Sequence, residues 1–112
     1  MEALRPMRSG NIFAGIPRDL AEEAFEPLVC AGSCTVERIV SRGHRSPDGF
    51  WYDQDRAEWV ILLAGRARLR FEGDEVIELG PGNWVDIPAH RRHRVEWTDP
   101  AAETVWLAVH YS

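Results

Sequence analysis

The chain has 112 residues, 45% of them hydrophobic and 28% charged, with a formal net charge of -5. This fits one compact domain with apolar material for its own core, so no disulfide framework or structural metal is needed to explain folding. The acidic balance argues against nucleic acid as a partner, and no run of about 18 apolar residues exists that could form a transmembrane helix.

Residues 1–10, MEALRPMRSG, carry no pattern and lack the apolar core of a secretory signal, which points to a cytoplasmic protein. NIFAGI then supplies three large apolar groups. Pro17 suits a helix start, acids follow in the early turns, and Leu20, Ala24 and Phe25 can share one face. Pro27 stops such a helix at or before Glu26, so a short helix is expected over residues 18–25. Cys30 and Cys34 are spaced C-x3-C, neither a redox pair nor a zinc half-site, and read as two small buried thiols.

From residue 33 the pattern turns to strands. SCTVERIVS is β-branched and partly alternating, RGHRSPDG is a loop, and FWYDQ is read as a short strand. EWVILLA, 58–64, is apolar on both faces, and Gly65 turns the chain. RARLRF alternates strictly, with Ala67, Leu69 and Phe71 inward and Arg66, Arg68 and Arg70 toward water. EVIEL, WVDIP, HRVEW and TVWLAVHY complete the set, separated by EGD, GPGN and TDPAAE. Short strands with turn signals every eight to twelve residues indicate an all-β sandwich or barrel over 33–111, preceded by an N-terminal segment over 1–30.

Parity selects the polar residues that turn inward. His93 shares its side of the strand with Val95 and Trp97, so the imidazole is expected to point into the barrel. Glu58 is in register with Val60 and Leu62, while Trp59, Ile61 and Leu63 form an equally apolar opposite face. An inward Glu58 is costly unless it meets a metal, an arginine or water. A converging His and Glu is a common start for a divalent-metal site. His44 lies in the Gly/Ser/Pro loop and reads as solvated. His110 shares parity with Trp106 and Ala108 and could reach a cavity rim, but reads more simply as an ordinary strand residue.

Glu58, six residues and Gly65 resemble the end of the first cupin motif, G-x5-H-x-H-x3,4-E-x6-G. GNWVDIPAHRRH resembles the second, G-x5-P-x-G-x2-H-x3-N, with Gly82, Pro88 and His93 in place. The sixteen residues between Gly65 and Gly82 resemble the short spacing of small microbial cupins. The resemblance covers residues 35–111 and implies a double-stranded β-helix, or jelly roll, often dimeric. It also implies a metal held by two histidines of the first motif, the glutamate, and the histidine of the second.

This sequence departs from that ligand set. With three residues before Glu58 the histidine positions hold Tyr52 and Gln54, and with four they hold Trp51 and Asp53. His90 replaces the glycine of the second motif, either as a turn residue or as a further imidazole near the site, and Trp97 replaces its asparagine. The resemblance therefore implies a divalent metal (Fe, Mn, Ni or Zn) held by His93, Glu58, Gln54 and Tyr52. His90, Asp53, Trp51 and Trp97 are pocket candidates. The alternative is a metal-free barrel in which the same groups hydrogen-bond a small molecule. A filled barrel serving only structure or protein binding needs none of this chemistry.

Overall fold

Side-chain alternation decides which face of each strand is covered, and the pairing order decides what covers it. The computed structural model describes residues 6–112. Eight strands and no helix form among them: β1 (Ala24–Ala31), β2 (Cys34–Ser41), β3 (Ala57–Ala64), β4 (Ala67–Phe71), β5 (Val76–Leu79), β6 (Trp84–Ile87), β7 (His93–Thr98) and β8 (Thr104–Tyr111). They build a five-stranded sheet in the order β1-β2-β8-β3-β6 and a three-stranded sheet in the order β5-β4-β7. All the pairs are antiparallel. One apolar cluster joins the sheets: Ile39, Val60, Leu62 and Trp106 from the first meet Ala67, Leu69, Phe71 and Val95 from the second.

The undecided face of β3 is resolved by what lies across from it. Glu58, Val60 and Leu62 are buried, while Trp59, Ile61 and Leu63 take the outer side and are half covered. β4 follows its expected alternation. Its outward arginines pair with acids on neighbouring strands, Arg68 with Glu78 and Arg70 with Glu96.

Four expectations are corrected. The helix over 18–25 does not form: residues 18–23 are irregular and Ala24 begins β1. A helix of two turns is marginal in water, and pairing along β2 supplies more hydrogen bonds than it could. Pro27 fits because β1 is an edge strand, where a missing N–H is tolerated, and the register shifts between Pro27 and Val29. FWYDQ is not a strand but an irregular stretch with one isolated bridge, Tyr52 to His93. The thiols are not buried: Cys30 is exposed and Cys34 half-buried at the β1–β2 hairpin, both free. Trp97 does not share the inward side with His93. A bulge pairs Arg68 with Trp97 but Leu69 with Val95, which reverses parity. Trp97 then lies outside beneath the Arg68 guanidinium, and Thr98 is buried instead.

The N-terminal segment is anchored by a buried arginine. Arg38 on β2 donates to the carbonyls of Ile12 and Ala14 and bonds Glu26 on β1. No helix among the described residues is long and apolar enough to cross a membrane.

Gly65 closes the β3–β4 turn at φ 88°, and a Cβ there would meet the Thr104 hydroxyl at 2.5 Å and the Glu103 carbonyl at 2.6 Å. Gly82 has a similar φ of 90° with nothing near the added atom. Gly82→Ala should therefore cost about 1 kcal/mol for backbone strain alone, and Gly65→Ala about 3 kcal/mol or more. Chemical denaturation of both variants measures the difference, and equal losses would contradict it.

Candidate functional site

A recess of about 490 Å³, counted out to its open mouth, enters the barrel between the sheets. Its floor is apolar, from Ile39, Val60, Leu69, Ile87 and Val95. Its polar wall comes from six places. Glu58 stands on β3, His93 starts β7, and Glu37 and His110 face in from β2 and β8. Tyr52 and Gln54 enter from the irregular stretch, and Glu23 from just before β1.

The irregular stretch delivers Tyr52 and Gln54 because its backbone is tied to the barrel. Tyr52 N–H donates to the His93 carbonyl at 2.7 Å, and His93 N–H donates back at 3.2 Å. One turn on, His90 N–H donates to the Gln54 carbonyl at 2.8 Å. Tyr52 and Gln54 line the recess; Trp51 and Asp53, the pair from the longer motif spacing, do not. Trp51 instead lies under the Arg92 guanidinium. Asp53 bonds Nδ1 of His90 at 2.8 Å. His90 is exposed and holds φ 63°, so it is a turn residue and not a second imidazole in the recess.

His93 is 5% exposed and its ring lies between Tyr52, stacked at 5.5 Å, and Phe71 at 5.9 Å. Its Nδ1 is 2.8 Å from the Arg91 carbonyl. A carbonyl only accepts, so Nδ1 carries a proton, and in the neutral ring Nε2 is the lone pair. That lone pair faces the Glu58 carboxylate, with 3.7 Å between Nε2 and Oε1, too long for a hydrogen bond.

Glu23, Glu37 and His110 were not among the site candidates read from the sequence, although each lines the recess. His110 Nε2 bonds Glu37 Oε1 at 2.8 Å. Glu37 shares parity with Ile39 and Ser41, so the test that found Glu58 would have found it too. Glu23 was hidden by the expected helix. Its carboxylate accepts from the Ser41 hydroxyl at 2.9 Å, and Ser41 accepts from the Trp106 indole at 3.1 Å.

Electrostatics follow from this crowding of acids. Burial pushes the Tyr52 phenol up, and the charges of Glu23, Glu58 and Glu37 push it further. Burial likewise raises Glu23 against the opposing Ser41 bond and the His44 charge. The hydrogen bond to Glu37 raises His110, assisted by the charge on Glu58 and opposed by burial.

The expected four-ligand metal set is only half strong. His93 and Glu58 are good divalent-ion donors, whereas Gln54 offers a neutral oxygen and Tyr52 a phenol held in its protonated form. Among the described residues no group of three His, Cys, Asp or Glu side chains is placed to hold an ion. The donor set therefore does not fit a resident metal.

Residues 40–110 match the family model for the cupin domain. No curated protein sequence matches. A solved structure of a candidate mannose-6-phosphate isomerase from Ralstonia eutropha JMP134 is 46% identical, with 95% of this chain and 99% of that one covered and a TM-score of 0.91. A cupin superfamily protein from Desulfitobacterium hafniense DCB-2 shares 17% identity over 95% of this chain and 93% of that one, with a TM-score of 0.74. An RmlC-like cupin with a double-stranded β-helix fold from Methanocaldococcus jannaschii shares 21% over 86% and 85%, with a TM-score of 0.67.

The His110–Glu37 pair makes stability depend on pH. A histidine raised on folding contributes stability that is full below its unfolded value of about 6.5 and is lost as pH rises through the higher folded value. The stability gap between the wild-type chain and Glu37→Gln should be widest in mild acid and close above the folded His110 pKa. Denaturation at a series of pH values, with an NMR titration of His110, measures both. A midpoint at or below the ordinary histidine value would contradict the pairing.

Proposed function

This chain belongs to the cupin family, and we propose that its barrel binds a small polar molecule and moves a proton on it without a resident metal. The observation that carries this reading is the 2.8 Å approach of His93 Nδ1 to the Arg91 carbonyl, from which the tautomer is assigned. The Arg91 carbonyl holds the proton on Nδ1, which leaves Nε2 as a base inside a largely apolar recess. A ligand C–H or O–H bond at that nitrogen would break heterolytically, its proton passing to Nε2 and its electron pair staying on the ligand. The resulting imidazolium would stand beside Glu58, whose negative charge favours it. Tyr52, kept protonated by burial and by the surrounding acids, is the group suited to donate a hydrogen bond or a proton to the ligand.

The Ralstonia relative's name points to isomerisation of a phosphosugar, and proton transfer between adjacent carbons is chemistry a base of this kind performs. Among the described residues, however, no arginine lines the recess, and the chain contains no lysine. A phosphate would find no cationic clamp there.

A second reading keeps the metal, and the same lone pair facing Glu58 favours it. A divalent ion would then take His93 and Glu58, with Tyr52 and Gln54 as weak partners. Metal analysis of protein purified with Fe, Mn, Ni and Zn supplied separates the two. The metal-free reading expects well under one equivalent of each and a melting temperature unmoved by EDTA. Small molecules that raise the melting temperature of the wild-type chain should lose that effect in His93→Ala and Glu58→Gln. Stoichiometric metal that disappears in both variants would replace this proposal with the second reading.

A further inference from the structure

Resting on that reading of the recess, we propose that its ligand is an organic ammonium ion, and that phosphorylated molecules are rejected. The facing pair at the centre of the site sets the requirement. Glu58, when ionised, has oxygens that only accept hydrogen bonds, and Nε2 of His93 accepts as well because Nδ1 holds the proton. The two stand 3.7 Å apart, on side chains 12% and 6% exposed, and among the described residues neither atom accepts a hydrogen bond from a protein group. Two acceptors that line one recess suit a ligand rich in donors. An ammonium group carries up to three N–H donors and the compensating positive charge.

Charge in the rest of the wall agrees. Glu37 is matched by His110, and Glu23 is bonded only by a neutral hydroxyl. Among the described residues no arginine lines the recess, and with no helix there no helix N-terminus can offer an anion site. Glu23, Glu37 and Glu58 all line this one recess. Phe25, Tyr52 and Trp106 add aromatic walls, whose faces attract a cation, and the apolar floor suits the ligand's carbon body. Arg56 lies only at the outer mouth, held by Ser33 and Thr35 and flanked by Asp53 and Asp55. A phosphate there would be repelled by both acids.

Three probes with one carbon body test this: benzylamine, benzyl alcohol and benzyl phosphate. Each is titrated calorimetrically into the full chain at pH 7, low salt and excess EDTA. Benzylamine should bind at least about tenfold tighter than the alcohol and weaken with added salt, and the phosphate should not bind. Glu58→Gln, with Glu23→Gln as a second variant should the first melt early, should weaken benzylamine about tenfold and leave the alcohol unchanged. Phosphate binding as tight as amine binding, or amine affinity untouched in both folded variants, would overturn the proposal. Equal binding of amine and alcohol would overturn the charge selection yet leave the recess a ligand site. Failure of all three probes to bind would count against both this proposal and the binding function it rests on.

Discussion

Glu58 on β3 stands directly opposite His110 on β8, and His110 in turn stands opposite Thr35 on β2, with Glu37 two residues along the same face. This three-strand register is the constraint from which the site follows. Because side chains alternate with a period of two, a strand that buries Val60 and Leu62 must bury Glu58 as well, and one that buries Ile39 must turn Glu37 inward. A slip of one residue would remove the carboxylates, but it would also expose the core. The same pairing that holds the apolar cluster together thus obliges the barrel to keep acids at one end.

Buried acids need compensation, and the molecule supplies it unevenly. Glu37 gains an imidazole, Glu23 gains the Ser41 hydroxyl, and Glu58 gains only a neutral ring nitrogen with its lone pair toward it. The last arrangement, a carboxylate facing a lone pair with no protein donor between them, costs stability. A folded chain tolerates such a cost where the surrounding structure overdetermines it. Here the His93 ring is clamped by Tyr52, by Phe71 and by the Arg91 carbonyl at once. The His93 half of the pair is therefore held in place before any ligand arrives, which limits the ordering cost of binding.

Much of this was legible in the amino-acid order, and the failures have definite causes. The inward turn of His93 followed from parity with Val95, and the approach of Glu58 to it followed from the motif spacing. Trp97 failed because one bulged residue reverses parity, and a bulge leaves no periodic trace in a six-residue strand. The helix failed because Pro27 after two acidic turns is a sound local stop signal, yet an edge strand accepts proline just as readily. That error also concealed Glu23. His110 was set aside because a lone histidine near a strand end is usually unremarkable in sequence. Its importance arises only from Glu37, 73 residues away, across a pairing that local pattern does not display. The choice between Tyr52/Gln54 and Trp51/Asp53 lay equally beyond pattern, since it depends on two backbone hydrogen bonds between an irregular stretch and β7.

The partition of charge is the remaining consequence of the same geometry. All thirteen Lys and Arg positions hold arginine, and none of those among the described residues lines the recess. On the outer face of the three-stranded sheet Arg68 and Arg70 are bound by Glu78 and Glu96, and at its edge Arg91 and Arg92 are bound by Glu75 and Glu72. Arg38 is committed to the N-terminal segment and Arg42 to Glu103. A guanidinium is long enough to be drawn toward any nearby carboxylate, so an acid-lined cavity stays unneutralised only if the arginines near it are occupied elsewhere. Exposed ion pairs of this kind add little stability individually. Among the described residues Glu58 and Glu23 have no arginine partner, which is the condition the proposed ammonium ligand requires.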